Sequence, residues 1–352
     1  LLIDFPSGCY SSCYFFLLQA QVNPKNPFNK HGCQSQELLD LNITTCNIWN
    51  TLFDVGLSMF DVGCSSLIGF WDTAKNHGVD LESDHKEKLK MESLLKDTIE
   101  ITQAAGNVIM QYYKSSYDIE NKSPDNPVTD ADYAADTLLH HRLTVRLPEA
   151  GWLSEETVDQ PDRLQRERVW IVDPLDGTKE FIMGIPEFAV SVALVENGQP
   201  VLGVIYNPAS DELFYSMRGA GVFLNGTRAH VTKRNQLEGA LVDASRSECK
   251  RGEFAPFENL LQIRIMGSTA YKLARVAVGL CDASWSRGPK NEWDICAGVL
   301  LVTEAGGRCV ELNNEPFIFN RPNTLVSGFI ADNGRLHNRI ISTITPYGAA
   351  RT

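Results

Sequence analysis

Long apolar runs, paired-cysteine motifs and an excess of positive charge are all missing from this sequence. No apolar run in its 352 residues reaches the roughly 20 residues that cross a bilayer as a helix. Tyr14-Phe15-Phe16-Leu17-Leu18 is too short to span, and the N-terminal stretch lacks the basic n-region and small-residue cleavage site of a secretory signal. The net charge of −12 argues against bulk binding to a nucleic acid polymer or an acidic membrane surface. The nine cysteines are odd in number and include no C-x-x-C pair, which removes zinc-site spacing. Free thiols in a reducing cytoplasm are the expectation. There is no internal repeat and no low-complexity tract.

What is present is a chain 43% hydrophobic, enough for one large core or two modest ones, organised around Val169-Trp170-Ile171-Val172-Asp173-Pro174-Leu175-Asp176-Gly177-Thr178-Lys179-Glu180-Phe181. Four apolar residues read as a buried strand. Asp173 stands at its carboxyl end, Pro174 breaks the ladder, and Asp176-Gly177 is turn chemistry. Thr178 onward can open a helix. Two carboxylates in one tight turn suit a hard cation that wants oxygen ligands. The N–H groups of Gly177 and Thr178 suit a phosphate. An acidic protein that acts on phosphate needs local positive charge, and a metal ion supplies it. The plainer reading, an Asp-Gly turn with solvated acids, fits the dipeptide but not the whole run.

Asp173-Pro-Leu-Asp176-Gly-Thr178 resembles the signature of the inositol monophosphatase-like phosphatases, which are Mg²⁺-dependent and lithium-sensitive. The longer form through Phe181 is most similar to the CysQ branch, the 3'(2'),5'-bisphosphate nucleotidases. The resemblance covers roughly residues 91–345. Residues 1–90 match nothing familiar. They hold most of the cysteines, end in the charged linker Asp84 to Lys90, and are expected to be a disordered extension or sequence outside the native chain, with Met91 as the native start.

From Met91, Leu94, Leu95, Ile101, Ala105, Val108 and Ile109 keep helical period to about Lys114. A polar connector, residues 115–126, carries Lys122. A second helix follows to about Arg146, with Ala135, Leu138, Leu139 and Leu143 as its stripe. Thr129-x-x-Asp132 is a capping-box pattern, so on spacing alone Asp132 is a cap. The segment Asn126-Pro-Val-Thr-Asp-Ala-Asp132 also resembles the family segment whose last Asp pairs with the motif threonine to orient the attacking water. Lys122 falls near the family's active-site lysine, although a loop lysine is more often solvated. Ser154-Glu155-Glu156 reads as a solvated pair, but resembles the family segment whose first Glu ligates metal.

Beyond the central turn, residues 188–195 and 200–206 flank Asn197-Gly198 as a hairpin. Residues 213–217 and 222–224 add strands around Asn225-Gly226, giving an antiparallel sheet. Residues 240–244 and 263–266 read as buried strands, and strand and helix then alternate, as in an α/β layer. Asp294 opens a helix ended by Gly306-Gly307, so it is an N-cap by position. Trp293-Asp294 with Thr303-Glu-Ala-Gly-Gly307 resembles the family segment in which that Asp ligates a second metal. Ser245-Arg246-Ser247 is similar to the nucleotidases' S-R-S-H, with Glu248 in place of the His. Gly267-Ser268, Lys272 and Lys290-Asn291-Glu292 fall on the leaving-group side.

The expectation is an α+β, α/β layered αβαβα sandwich of the sugar-phosphatase type in two subdomains, 91–239 and 240–345, with a tail at 346–352. The resemblance implies two or three Mg²⁺ ions on Glu155, Asp173, Asp176, Asp294 and the Leu175 carbonyl. Thr178 and Asp132 would orient the water, Gly177 and Thr178 would hold phosphate, and Ser245, Arg246, Lys122 and Glu292 would contact substrate. The reaction would be hydrolysis of 3'-phosphoadenosine 5'-phosphate to AMP. The alternatives are an inositol-1-monophosphatase or other small sugar-phosphate phosphatase, and a metal- and phosphate-binding protein without catalysis. The partner is a small phosphate ester, and a homodimer is possible on family grounds. An aspartyl-nucleophile phosphatase would need Asp-x-Asp after a strand, whereas Asp130-Ala-Asp132 opens a helix.

Overall fold

The computed structural model describes residues 81–123 and 126–348. In chain order these form α1 (Leu81–Tyr112), β1 (Ile119–Ser123), β2 (Asn126–Thr129), α2 (Asp130–Arg146), β3 (Gly151–Ser154), β4 (Arg168–Asp176), α3 (Thr178–Ile182), β5 (Ala189–Glu196), β6 (Gln199–Asn207), β7 (Glu212–Met217), β8 (Gly221–Leu224) and β9 (Thr227–Ala229). The chain continues with β10 (Leu241–Ser245), α4 (Arg246–Lys250), β11 (Gln262–Met266), α5 (Thr269–Ala277), β12 (Ala283–Ser286), β13 (Lys290–Asn291), α6 (Glu292–Glu304), β14 (Arg308–Val310), β15 (Leu325–Val326), β16 (Phe329–Asp332) and α7 (His337–Ile344).

Strand alternation builds the layers. In β4, Trp170 and Val172 share a core with Ile101, Ala105 and Ile109 of α1 and Ala135, Leu139 and Leu143 of α2. Val169 and Ile171, pointing the other way as the two-residue period demands, pack with Leu273 and Ala277 of α5 and Ile295 and Val302 of α6. The seven-stranded sheet runs β3-β4-β5-β6-β7-β8-β9. It is antiparallel except where β3 lies parallel to β4. A five-stranded sheet runs β11-β10-β12-β16-β14. Its Phe329 and Ala331 join the α5–α6 core. Its Val242, Trp285 and Ile330 face outward under Leu336 and Ile340. Helix, sheet, helix, sheet, helix is the resulting order of layers.

Three local expectations change. The stretch Asp84 to Lys90, read as a linker, is helical within α1. Residues 1–80 of the expected extension lie outside the described residues. The polar connector holds the β1–β2 hairpin, in which Glu120 faces Val128. Neither strand shows the apolar alternation that announces a strand. Where a tail was expected from 346, Thr345–Tyr347 form a 3₁₀ turn, and the Tyr347 ring packs 5.1 Å from that of Phe257.

Candidate active site

The site grows from the end of β4. The ladder to β5 is regular up to Asp173 opposite Ser191, then shifts before resuming at Asp176. Pro174 causes the break, because it has no N–H to give. Asp173 Oδ1 accepts the Leu175 N–H at 3.1 Å, so the turn is stitched from inside. Gly177 then adopts φ +101°, and a Cβ there would lie 2.9 Å from the Glu187 carbonyl oxygen. Only glycine combines that backbone with that approach. Phe181 anchors the turn from below, with its ring 5.3 Å from Phe188 and 5.5 Å from Tyr113. Burying a Phe of this kind contributes about 2–3 kcal/mol.

Two further elements deliver carboxylates to this turn. β3 pairs with β4 so that Ser154 faces Val172, which sets Glu155 beside Asp173. Asp136 of α2 fixes this corner by accepting from Ser154 Oγ at 2.5 Å and Thr157 Oγ1 at 2.8 Å. Asp294 arrives on the first turn of α6, where its Oδ2 accepts the Asn291 N–H at 2.9 Å. Cap and cluster member are therefore one residue. Glu155, Asp173 and Asp294 offer oxygens that all lie within 4.8 Å of one another.

Such crowding is unfavourable without a cation. Burial first, then the charges of Glu155, Asp176 and Asp294, push Asp173 well above the usual carboxylate range. Burial, then Asp176 and Glu155, push Asp294 up to about 8. The donor set is all oxygen, the preference of Mg²⁺ rather than of zinc. The β1–β2 hairpin already brings a cation here: Lys122 Nζ sits 2.7 Å from Glu155 and 2.8 Å from Glu156. Burial pulls that ammonium down, but the two glutamates outweigh it and hold it above its ordinary range. The three clustered carboxylates therefore fit a hard divalent ion. Asp176 stands apart from the three. Its Oδ2 accepts from Ser268 Oγ at 2.7 Å and Ala270 N–H at 2.6 Å, while its charge raises both Asp173 and Asp294.

Asp132 is 1% exposed. Thr129 donates to it from N at 2.8 Å and Oγ1 at 2.6 Å, and Thr178 Oγ1 lies 3.1 Å away. Burial pushes Asp132 up to about 6, against the downward pull of those hydrogen bonds. The cap and the pairing with Thr178 coexist, as at Asp294.

The leaving-group side differs from expectation. Glu292 is fully buried and accepts the N–H groups of Asn320 and Arg321 at 2.7 and 3.0 Å. It anchors a loop, and substrate contact is withdrawn for it. Ser245 ends β10 with its hydroxyl 3.4 Å from that of Ser247. Arg246 donates to Glu187 at 2.6 Å and Glu180 at 3.4 Å. Glu248 is 2% exposed and meets Ser286 Oγ at 2.5 Å and Lys290 Nζ at 3.5 Å. Arg246 pairs with Glu187 and Glu180 rather than with it. Arg251 pairs with Glu253 instead. Asp136 and Glu187 went unnoticed in the sequence. Asp136 did carry a signal, a carboxylate inside the apolar stripe of α2.

The profile of the Inositol monophosphatase family matches residues 90–349. An inositol-1-monophosphatase of Mesorhizobium japonicum is 38% identical over 61% of this chain and 84% of its own length. The 3'(2'),5'-bisphosphate nucleotidase CysQ of Aggregatibacter actinomycetemcomitans is 35% identical over 66% and 90%. A fructose-1,6-bisphosphatase/inositol-1-monophosphatase of Thermotoga maritima is 31% identical over 70% and 94%. Among solved structures, the extragenic suppressor protein suhB of Bartonella henselae superposes with TM-score 0.65 at 32% identity, covering 72% of this chain and 98% of that one.

Proposed function

Because this chain belongs to the inositol monophosphatase family, whose members are phosphoric monoester hydrolases, we propose that it is a Mg²⁺-dependent phosphatase acting on 3'-phosphoadenosine 5'-phosphate. Two or three ions would be held by Glu155, Asp173, Asp176, Asp294 and the Leu175 carbonyl. Such ions place positive charge against phosphoryl oxygens and make a water more acidic. Asp132 Oδ1 takes the proton of the attacking water by way of Thr178 Oγ1. The water oxygen bonds to phosphorus, the bond from phosphorus to the 3' oxygen breaks, and that oxygen acquires a proton from solvent. Gly177 and Thr178 direct their N–H groups toward phosphate. The four described cysteines are free thiols, which fits a reducing cytoplasm.

The observation that carries the nucleotide reading is the fate of Glu248. Its Oε1 is held by Ser286 and Lys290 and its Oε2 is buried, so the carboxylate is not exposed to a second phosphate. The Arg246 side chain is 35% exposed. One observation favours inositol 1-phosphate instead: Arg246 is already paired with Glu187 and Glu180. Initial rates with both substrates under Mg²⁺ decide between them. A higher kcat/KM for inositol 1-phosphate rejects the nucleotide reading, and no turnover of these two or of any other small sugar phosphate leaves a binding protein.

A further inference from the structure

Ser268 caps α5 in a backbone state that serine avoids. Its φ is +52° and its ψ is 124°. Outliers of this kind persist where the surroundings over-determine them, and they cluster at working sites. Here the surroundings are on view. Gly267, the preceding residue, donates its N–H to Glu187 at 2.8 Å. Gly267 is pressed so closely against Glu180 that a Cβ would meet Glu180 Cγ at 2.4 Å. On the other side, Lys272 is 3% exposed, and its Nζ donates to the Ser268 carbonyl at 2.8 Å. A buried ammonium is costly unless it is bonded, so this lysine clamps the Ser268 peptide from behind.

The result is a grip on one atom. Ser268 Oγ accepts the Tyr271 N–H at 3.0 Å and so donates its proton to Asp176 Oδ2 at 2.7 Å. The Ala270 N–H adds a second donor to the same oxygen at 2.6 Å. Asp176 ends β4, whereas Ser268 caps α5. The grip therefore fixes one layer's carboxylate from the other.

We infer that Ser268, braced by Lys272, is a positioning residue for Asp176: it immobilises Oδ2, so that Oδ1 is the oxygen turned to a cation shared with Asp173 and Asp294. The inference rests on the proposed role of Asp176 in metal binding. Outer partners that orient a ligating carboxylate typically change metal affinity by about 10- to 100-fold when removed.

Calorimetric titration of Mg²⁺ into the full-length metal-free protein, with melting temperatures measured alongside, provides the test. Ser268→Gly removes the hydroxyl but suits a positive φ. It is expected to weaken Mg²⁺ binding about tenfold without lowering the melting temperature. Lys272→Met should weaken Mg²⁺ binding as well, because the brace is lost. Asp176→Asn is the control. If it binds Mg²⁺ poorly while Ser268→Gly and Lys272→Met bind like wild type, the positioning role is overturned and the ligand role stands. If Asp176→Asn binds Mg²⁺ like wild type, the ligand reading fails and the inference with it.

Discussion

Thr178 Oγ1 lies 3.1 Å from Asp132 Oδ1 and 3.0 Å from the Leu175 carbonyl oxygen. One hydroxyl proton cannot serve both acceptors. Donation to Asp132 leaves the threonine oxygen as an acceptor for water beside the Leu175 carbonyl, on the turn that carries Asp173 and Asp176. Asp132→Asn and Thr178→Ala should each lower kcat by about 10²–10⁴-fold, the usual contribution of positioned proton transfer. Because the ionised form of Asp132 accepts the proton, and burial sets its titration at about 6, kcat should fall as pH drops through that value. A kcat for Asp132→Asn equal to wild type would reduce the residue to its cap at Thr129.

Buried carboxyls in and around the site make stability depend on pH. Burial leads the rise of Asp132 to about 6, Glu156 to about 7 and Asp294 to about 8. A carboxyl whose folded value exceeds its unfolded value, near 4, stabilises the fold below that unfolded value. That stabilisation is lost as pH rises through the folded value. The metal-free protein should therefore lose melting temperature between about pH 4 and pH 8. Mg²⁺ binds the ionised carboxylates, so the rise in melting temperature that it produces should grow over the same interval. A Mg²⁺-induced shift independent of pH would mean that Asp294 does not hold the ion.

Asp136 holds the corner that presents Glu155, through Ser154 and Thr157. Asp136→Asn keeps the shape but exchanges an acceptor for a donor, which cannot satisfy both hydroxyls as before. Mg²⁺ affinity should fall by about tenfold, with the far-ultraviolet spectrum unchanged. An unaltered affinity would limit Asp136 to packing.

This corner also shows what a sequence conceals. Asp173, Asp176 and Thr178 share one short run, so their meeting is local and legible. The same holds for the Asn197-Gly198 and Asn225-Gly226 turns, where both residues take positive φ as such hairpins require. Asp136 and Ser268 act across large sequence separations, through Thr157 and Asp176, and no period or spacing announces such contacts. Glu292 adjoins a signature run and reads as a site residue. Only the fold shows the Asn320 and Arg321 amides claiming it. The β1–β2 hairpin has too little apolar patterning to be read: of its strand residues only Val128 is a buried apolar side chain among those described, while Lys122 pairs with Glu155.

The first buried apolar side chain of α1 described here is Leu94, so a chain beginning at Met91 keeps the α1 face that packs on α2 and β4. It should fold and hydrolyse substrate with kcat/KM within about twofold of the longer chain, since the family profile begins at residue 90. Loss of soluble protein on truncation would make the preceding segment a structural part.

Arg246 donates to Glu187 Oε2 at 2.6 Å, and the same oxygen accepts the Gly267 N–H at 2.8 Å. A second phosphate on the substrate must win the guanidinium from this carboxylate. Arg246→Ala removes the only part-exposed cation assigned to that task. It should raise KM for 3'-phosphoadenosine 5'-phosphate by about 10- to 100-fold, the worth of one or two charged hydrogen bonds, and should change KM for inositol 1-phosphate much less. Glu187→Gln acts in the opposite sense. The amide oxygen can still accept from Gly267, but the competing charge is gone, so KM for the bisphosphate should fall several-fold, about 1 kcal/mol of released competition. The two substitutions thus move the same constant in opposite directions. Parallel changes in KM for both substrates, in either variant, would show that Arg246 supports the wall of the site and does not read a second phosphate.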